Sequence, residues 1–125
     1  MQKDGFWGIL EISALIQTEI IELEPDAENT LNVGDTVRIT LRENRTTGYV
    51  WRIELTGDDI LEITGDSYVS DPNPHMADGV GGTRYFTFYA LAPGEASVEL
   101  ASMRDDEIGR TAVYRVVIPV VGPEE

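Results

Sequence analysis

Residues 36–55 read TVRITLRENRTTGYVWRIEL, two alternating stretches on either side of a short polar one. Val37, Ile39 and Leu41 alternate with Arg38, Thr40 and Arg42, and Trp51, Ile53 and Leu55 alternate with Val50, Arg52 and Glu54. A period of two sends successive side chains to opposite faces, so each stretch predicts a strand with one buried face and one wet face. The connection between them, Glu43 to Tyr49, is longer than a tight hairpin requires. It holds two threonines and a glycine, and it re-enters the next strand through Tyr49 and Trp51.

The same pattern continues along the chain. Thr83 to Leu91, TRYFTFYAL, is aromatic on both faces; Ala96, Val98 and Leu100 alternate with Ser97, Glu99 and Ala101; and Thr111 to Val121 is rich in β-branched residues. These are strand signatures. Between them stand turn formers: Asn32-Val33-Gly34-Asp35, Thr56-Gly57-Asp58-Asp59, Pro93-Gly94 and Gly122-Pro123. Strands at this spacing predict an all-β fold, an antiparallel β-sandwich of about seven to eight strands. The one helical option, Gly8 to Ile21, ranks below a strand. Residues 1–17 are expected to be an N-terminal extension or first strand, and residues 18–122 a single sandwich domain.

Successive strands that reverse direction make each connection change ends. Loop 43–49 then falls at one end with loop 71–82 and loop 103–110, and the turns 56–59 and 92–95 fall at the other. This parity requires Thr64-Gly65-Asp66-Ser67 to be a bulge within one strand and not a hairpin. Long loops at the end of a rigid scaffold are where binding concentrates.

Composition removes several classes of function. The 23 Asp and Glu against 9 Lys and Arg give a formal net charge of -14, which repels phosphate polymers and anionic lipid, so no nucleic-acid partner and no membrane partner is expected. With no cysteine there is no disulfide, no thiolate nucleophile and no thiolate metal site. No apolar run is long enough to span a bilayer. The apolar start is split by Glu11 and lacks a small-residue cleavage site, so it does not read as a signal peptide. The chain is expected to be cytoplasmic as it stands, exported if a leader preceded it, and a monomer.

The three loops carry a resemblance. Asn44-Arg45-Thr46-Thr47-Gly48-Tyr49 resembles the NPTTGY/F motif of the chagasin family of cysteine peptidase inhibitors, and Gly79-Val80-Gly81-Gly82, followed by Thr83 and an aromatic strand, matches that family's GxGG motif. Met103-Arg104 stands where the family's R-P-W/F motif begins, but Asp105 and Asp106 replace the proline and the aromatic. The resemblance covers residues 30 to 120. It implies an immunoglobulin-like sandwich, not an enzyme and without cofactor, that reversibly inhibits papain-like cysteine peptidases. The first loop (Asn44, Arg45, Thr46, Thr47, Gly48, Tyr49) would enter the cleft, while Gly79, Val80, Gly81 and Gly82 flank one wall and Arg104, Asp105 and Asp106 the other.

Residue chemistry suits a slim wedge. Thr46 and Thr47 are small, Gly48 accepts positive φ, and Tyr49 and Trp51 are placed to anchor the loop base. Arg45 in place of proline is expected to leave the loop less rigid. Asp106 in place of an aromatic is expected to weaken one side of the clasp, so the third loop either favours a peptidase with a basic rim or has lost the family activity. The alternative reading is a sandwich of the same ancestry that binds another protein. His75, the sole histidine, lies near Asp71 and Asp78, but without a second histidine no metal site is expected. Asp58-Asp59 and Asp105-Asp106 are carboxylate pairs in expected exposed turns, and they read as solvated charge, not acid–base machinery.

Overall fold

Along Gly82–Ala90 every second residue is buried, and alternation in sequence has become alternation in packing. The computed structural model describes residues 19–73 and 79–120. Its strands are β1 (Ile20–Glu22), β2 (Glu28–Thr30), β3 (Thr36–Glu43), β4 (Val50–Gly57), β5 (Leu61–Ser70), β6 (Gly82–Ala90), β7 (Gly94–Arg104) and β8 (Glu107–Ile118). They form two four-stranded sheets, ordered β1-β3-β6-β5 and β2-β8-β7-β4. Val37, Ile39, Phe86 and Phe88 of the first sheet share one buried core with Val98, Leu100, Tyr114, Val116 and Ile118 of the second. Each such side chain contributes about 1.5–3 kcal/mol on burial, and with no disulfide this packing holds the sheets together.

The sandwich is not antiparallel throughout. β1 runs parallel to β3, with Ile20 opposite Thr36, and β2 runs parallel to β8, with Glu28 opposite Arg115. The chain crosses from one sheet to the other between residues 22 and 28, so the two three-residue strands each cover an edge, of β3 and of β8. The other four ladders are antiparallel.

The expected irregularity near residue 64 is a bulge. Ile63 pairs with Phe88 and Gly65 with the adjacent Thr87, so Thr64 is an extra residue. Before it Leu61 and Ile63 share the face of Ala90 and Phe88; after it Asp66 and Tyr68 stand opposite Phe86 and Arg84. The bulge therefore turns a carboxylate and a phenol toward the inner face near the loop end of the sandwich.

The parity reading survives. Glu43 and Ser70 both pair with Gly82, and Val50 pairs with Met103, so the connections 44–49, 71–81 and 105–106 leave from one end. The third differs from the expected eight-residue loop: β7 runs to Arg104 and β8 starts at Glu107, leaving only Asp105 and Asp106 as the turn. A second register shift, between Ala101 and Met103, sets Gly109 and Arg110 against Ser102. Gly122-Pro123 and most of the segment considered as a helix lie outside the described residues; Ile20 and Ile21 belong to β1.

Candidate functional site

The first loop makes its own shape. Asn44 follows β3 in extended geometry and caps a single 3-10 turn, Arg45–Thr47, by accepting from the Thr46 N–H (3.1 Å) and the Thr46 hydroxyl (2.6 Å). The Thr47 N–H and hydroxyl both donate to the Asn44 carbonyl, at 3.1 and 2.7 Å, and the Gly48 N–H donates to the Arg45 carbonyl at 3.0 Å. Gly48 closes the turn at φ 86°, a left-handed conformation that costs an L-residue about 1–2 kcal/mol. Residues 45–48 are exposed, yet their N–H groups from 46 to 48 and both hydroxyl protons are spent inside the loop. What they offer a partner is hydroxyl lone pairs, two methyl groups and a narrow outline.

Its neighbours brace it from both sides. The Asn44 amide nitrogen donates to the Gly79 carbonyl at 3.0 Å, which ties the first loop to the second. That second loop is closed at its base by the Asp71 N–H to the Gly81 carbonyl (2.9 Å) and by a two-pronged pair between Arg42 and Asp71 (3.0 and 2.6 Å). The Arg42 hydrogen bond holds the Asp71 carboxyl below the ordinary range. On the other side Arg104 lays its stem along Gly48, where an added Cβ would stand 3.0 Å from Cδ. Its guanidinium lies 4.9 Å from the Tyr49 ring and pairs with Glu107 at 2.9 Å. Tyr49 thus rests on the third hairpin, close against Gly109, and only Trp51 is buried in the core. The Trp51 indole N–H donates to the Arg42 carbonyl at 2.8 Å, locking the two strand ends that carry the loop.

Among the residues expected to touch a partner, Gly82 is buried and supports the site from below. A Cβ there would come within 2.5 Å of the Val69 carbonyl and 2.6 Å of the Tyr68 ring. Gly79, Val80 and Gly81 are at least partly exposed above it. Asp105 and Asp106 are exposed at the hairpin tip, and Asp105 has φ 54°. Proline is fixed near −65°, so it would not fit this turn in the conformation that Asp105 takes. Asp58, considered for acid–base work, accepts the Glu95 N–H at 3.0 Å and caps a turn at the opposite end. His75 and Asp78 lie outside the described residues.

Beneath the first loop sits a group of charges that the sequence reading passed over. Glu43 has a side chain 1% exposed, and one of its oxygens accepts from Arg84 (2.8 Å) and from the Trp51 N–H (3.1 Å). Its other oxygen accepts from the Arg45 Nε. Arg84 in turn grips Asp66 with two nitrogens, at 2.6 and 3.0 Å. Burial pushes the Glu43 carboxyl up, but the hydrogen bonds from Arg45, Trp51 and Arg84 outweigh it and leave it below the ordinary range. The Arg84 hydrogen bonds hold Asp66 low as well. Arg45 is therefore not loose for want of a proline ring: its guanidinium is paired with Glu43 and stacks 4.0 Å from the centre of Tyr68. The signal was parity, since Glu43 falls in step with Val37 and Ile39, and Arg84 with Phe86 and Phe88.

Comparison with known proteins agrees with the fold. The model of the Chagasin family peptidase inhibitor I42 matches residues 30–118. Amoebiasin-2 of Entamoeba histolytica is 30% identical over 123 residues, covering 94% of this chain and 99% of that protein. The crystal structure of the cysteine protease inhibitor EhICP2 from Entamoeba histolytica aligns with a TM-score of 0.69 at 29% identity, over 82% of this chain and 97% of that one. PbICP-C, solved in complex with falcipain-2, aligns at 0.55 with 15% identity, over 82% of this chain and 91% of that one, a likeness of fold alone. On the extent of the family match and the identity to Amoebiasin-2, this chain belongs to the chagasin family of peptidase inhibitors.

Proposed function

We propose that the protein is a reversible inhibitor of papain-like cysteine peptidases that occludes the active-site cleft with the three connections at one end of its sandwich. Thr46, Thr47 and Gly48 enter the cleft; Gly79 to Gly81 lie along one wall and the Arg104 hairpin along the other. The observation that carries this reading is the state of the first loop, which is narrow, exposed, internally hydrogen-bonded and braced from both flanks. Order held in the free protein need not be acquired on binding, and each flexible side chain spared that cost adds about 0.5–1.5 kcal/mol. The relation to EhICP2, a cysteine protease inhibitor, supports the same reading. Inhibition needs no covalent chemistry from this chain, which acts as a steric plug and catalyses nothing.

A second reading, a family member that binds another protein and no longer inhibits, is favoured by one observation, the hairpin with Asp105 at φ 54° and Asp106 at the position of the family's aromatic. A buried aromatic at an interface is worth about 2 kcal/mol or more, roughly thirtyfold in affinity. Titration of papain with the purified domain separates the two. Dose-dependent, reversible inhibition that is lost in Thr47→Trp, whose side chain is too large for the cleft, is the expected result; no inhibition at micromolar concentration would transfer the assignment to the second reading.

A further inference from the structure

Burying ions is expensive, and replacing a buried pair with apolar residues of similar size is often neutral or stabilising. The Glu43–Arg84 pair is thus weakly explained by stability alone, although it occupies the inner face of two core strands. Its arrangement has direction. Of the two Glu43 oxygens, one faces the sandwich, taking hydrogen bonds from Arg84 of β6 and from the Trp51 N–H of β4. The other faces the loop and takes the Arg45 Nε. Arg84 is held in turn by Asp66, which the bulge in β5 has rotated inward, and Tyr68 from the same strand supplies the ring on which Arg45 stacks and donates its hydroxyl to the Glu43 carbonyl at 3.2 Å. Arg45 then opens the 3-10 turn, its carbonyl accepting the Gly48 N–H that closes it.

We infer that Glu43, clamped by Arg84, is a positioning residue for inhibition: it transmits the rigidity of three core strands to Arg45 and so fixes the turn Arg45–Gly48 in the shape that enters a peptidase cleft. This rests on the cleft-occluding reading above. Glu43 does not touch the peptidase; it acts through Arg45. The network does for this loop what a proline at position 45 would do by its ring, with the difference that β4, β5 and β6 must be assembled beside β3 before the turn is set.

The test is the pair replacement Glu43→Leu with Arg84→Met, which removes both buried charges together and leaves Asp66 and Arg45 able to meet water. Thermal unfolding reports the fold, amide hydrogen exchange of residues 46–48 reports the turn, and papain inhibition reports function. Melting close to wild type, exchange at 46–48 accelerated about tenfold, and a dissociation rate raised about tenfold is the expected set. Wild-type exchange and wild-type affinity in a folded pair variant would overturn the inference. Should the pair variant not fold, Arg45→Met, which removes only a half-exposed side chain, is read by the same exchange measurement, and unchanged protection at 46–48 there also overturns it. Should the wild type fail to inhibit papain, the functional reading fails while the exchange comparison still decides whether Glu43 sets the turn.

Discussion

Asn44→Asp separates two jobs that one side chain performs. The asparagine oxygen caps the 3-10 turn at the Thr46 N–H and hydroxyl, and its nitrogen reaches the Gly79 carbonyl at 3.0 Å. Aspartate keeps the cap, since a carboxylate oxygen accepts equally well, but it replaces the donor with a second acceptor facing a carbonyl. The loss is one hydrogen bond, about 0.5–1.5 kcal/mol, and because the Gly79 carbonyl is exposed, water replaces part of it. Global stability should therefore fall by no more than about 1 kcal/mol, a shift of roughly 3–5 °C in Tm for a chain of this size. Affinity should fall by about two- to tenfold, because the first loop loses its tie to the second and must be ordered on binding. Asn44→Ala removes the cap as well and should cost about 1 kcal/mol more. The assay is papain inhibition by all three proteins, with dissociation rates measured separately and melting curves as control. Wild-type affinity in Asn44→Asp would refute the strut between the two loops.

Other perturbations follow from the same geometry. Asp106→Trp restores an aromatic at the hairpin tip and should tighten papain inhibition by up to about thirtyfold, measured as the inhibition constant; no gain would mean that this hairpin does not meet the cleft wall. Gly82→Ala would drive a methyl group into the Val69 carbonyl and the Tyr68 ring and should destabilise by about 1–3 kcal/mol in chemical denaturation. Acid should loosen the site. The folded-state pKa values of Glu43 and Asp66 lie below their ordinary values, so the stability they add is present in full above the usual carboxylate range and is lost as pH falls through it. Melting temperature should be level above roughly pH 5 and drop below about pH 4, with a shallower drop in Glu43→Gln.

Most of the scaffold could be read from period-two alternation, because β3, β4, β6 and β7 are long enough for a period to show. β1 and β2 could not: three residues, Ile20–Glu22 and Glu28–Thr30, carry no period, and their parallel pairing depends on where the chain crosses between sheets. The third hairpin was misjudged because Gly109 and the charges around it read as loop, whereas the glycine is in β8 to admit the Tyr49 ring. At the site the motif residues were legible and their support was not. Glu43, Asp66 and Arg84 are charged residues at inward positions, and a reading that follows apolar residues steps over them. Only the neighbouring strands and Arg45 of the first loop reveal that two carboxylates are balanced by two guanidinium groups.

The most direct test of the occlusion model is the structure of the domain bound to papain. The model predicts Thr46, Thr47 and Gly48 inside the cleft beside the catalytic cysteine, Gly79 to Gly81 and Arg104 to Glu107 on opposite walls, and the turn at Asp58 and Asp59 free of contact. A complex held through that opposite turn, or through a sheet face with the first loop in solvent, would contradict it.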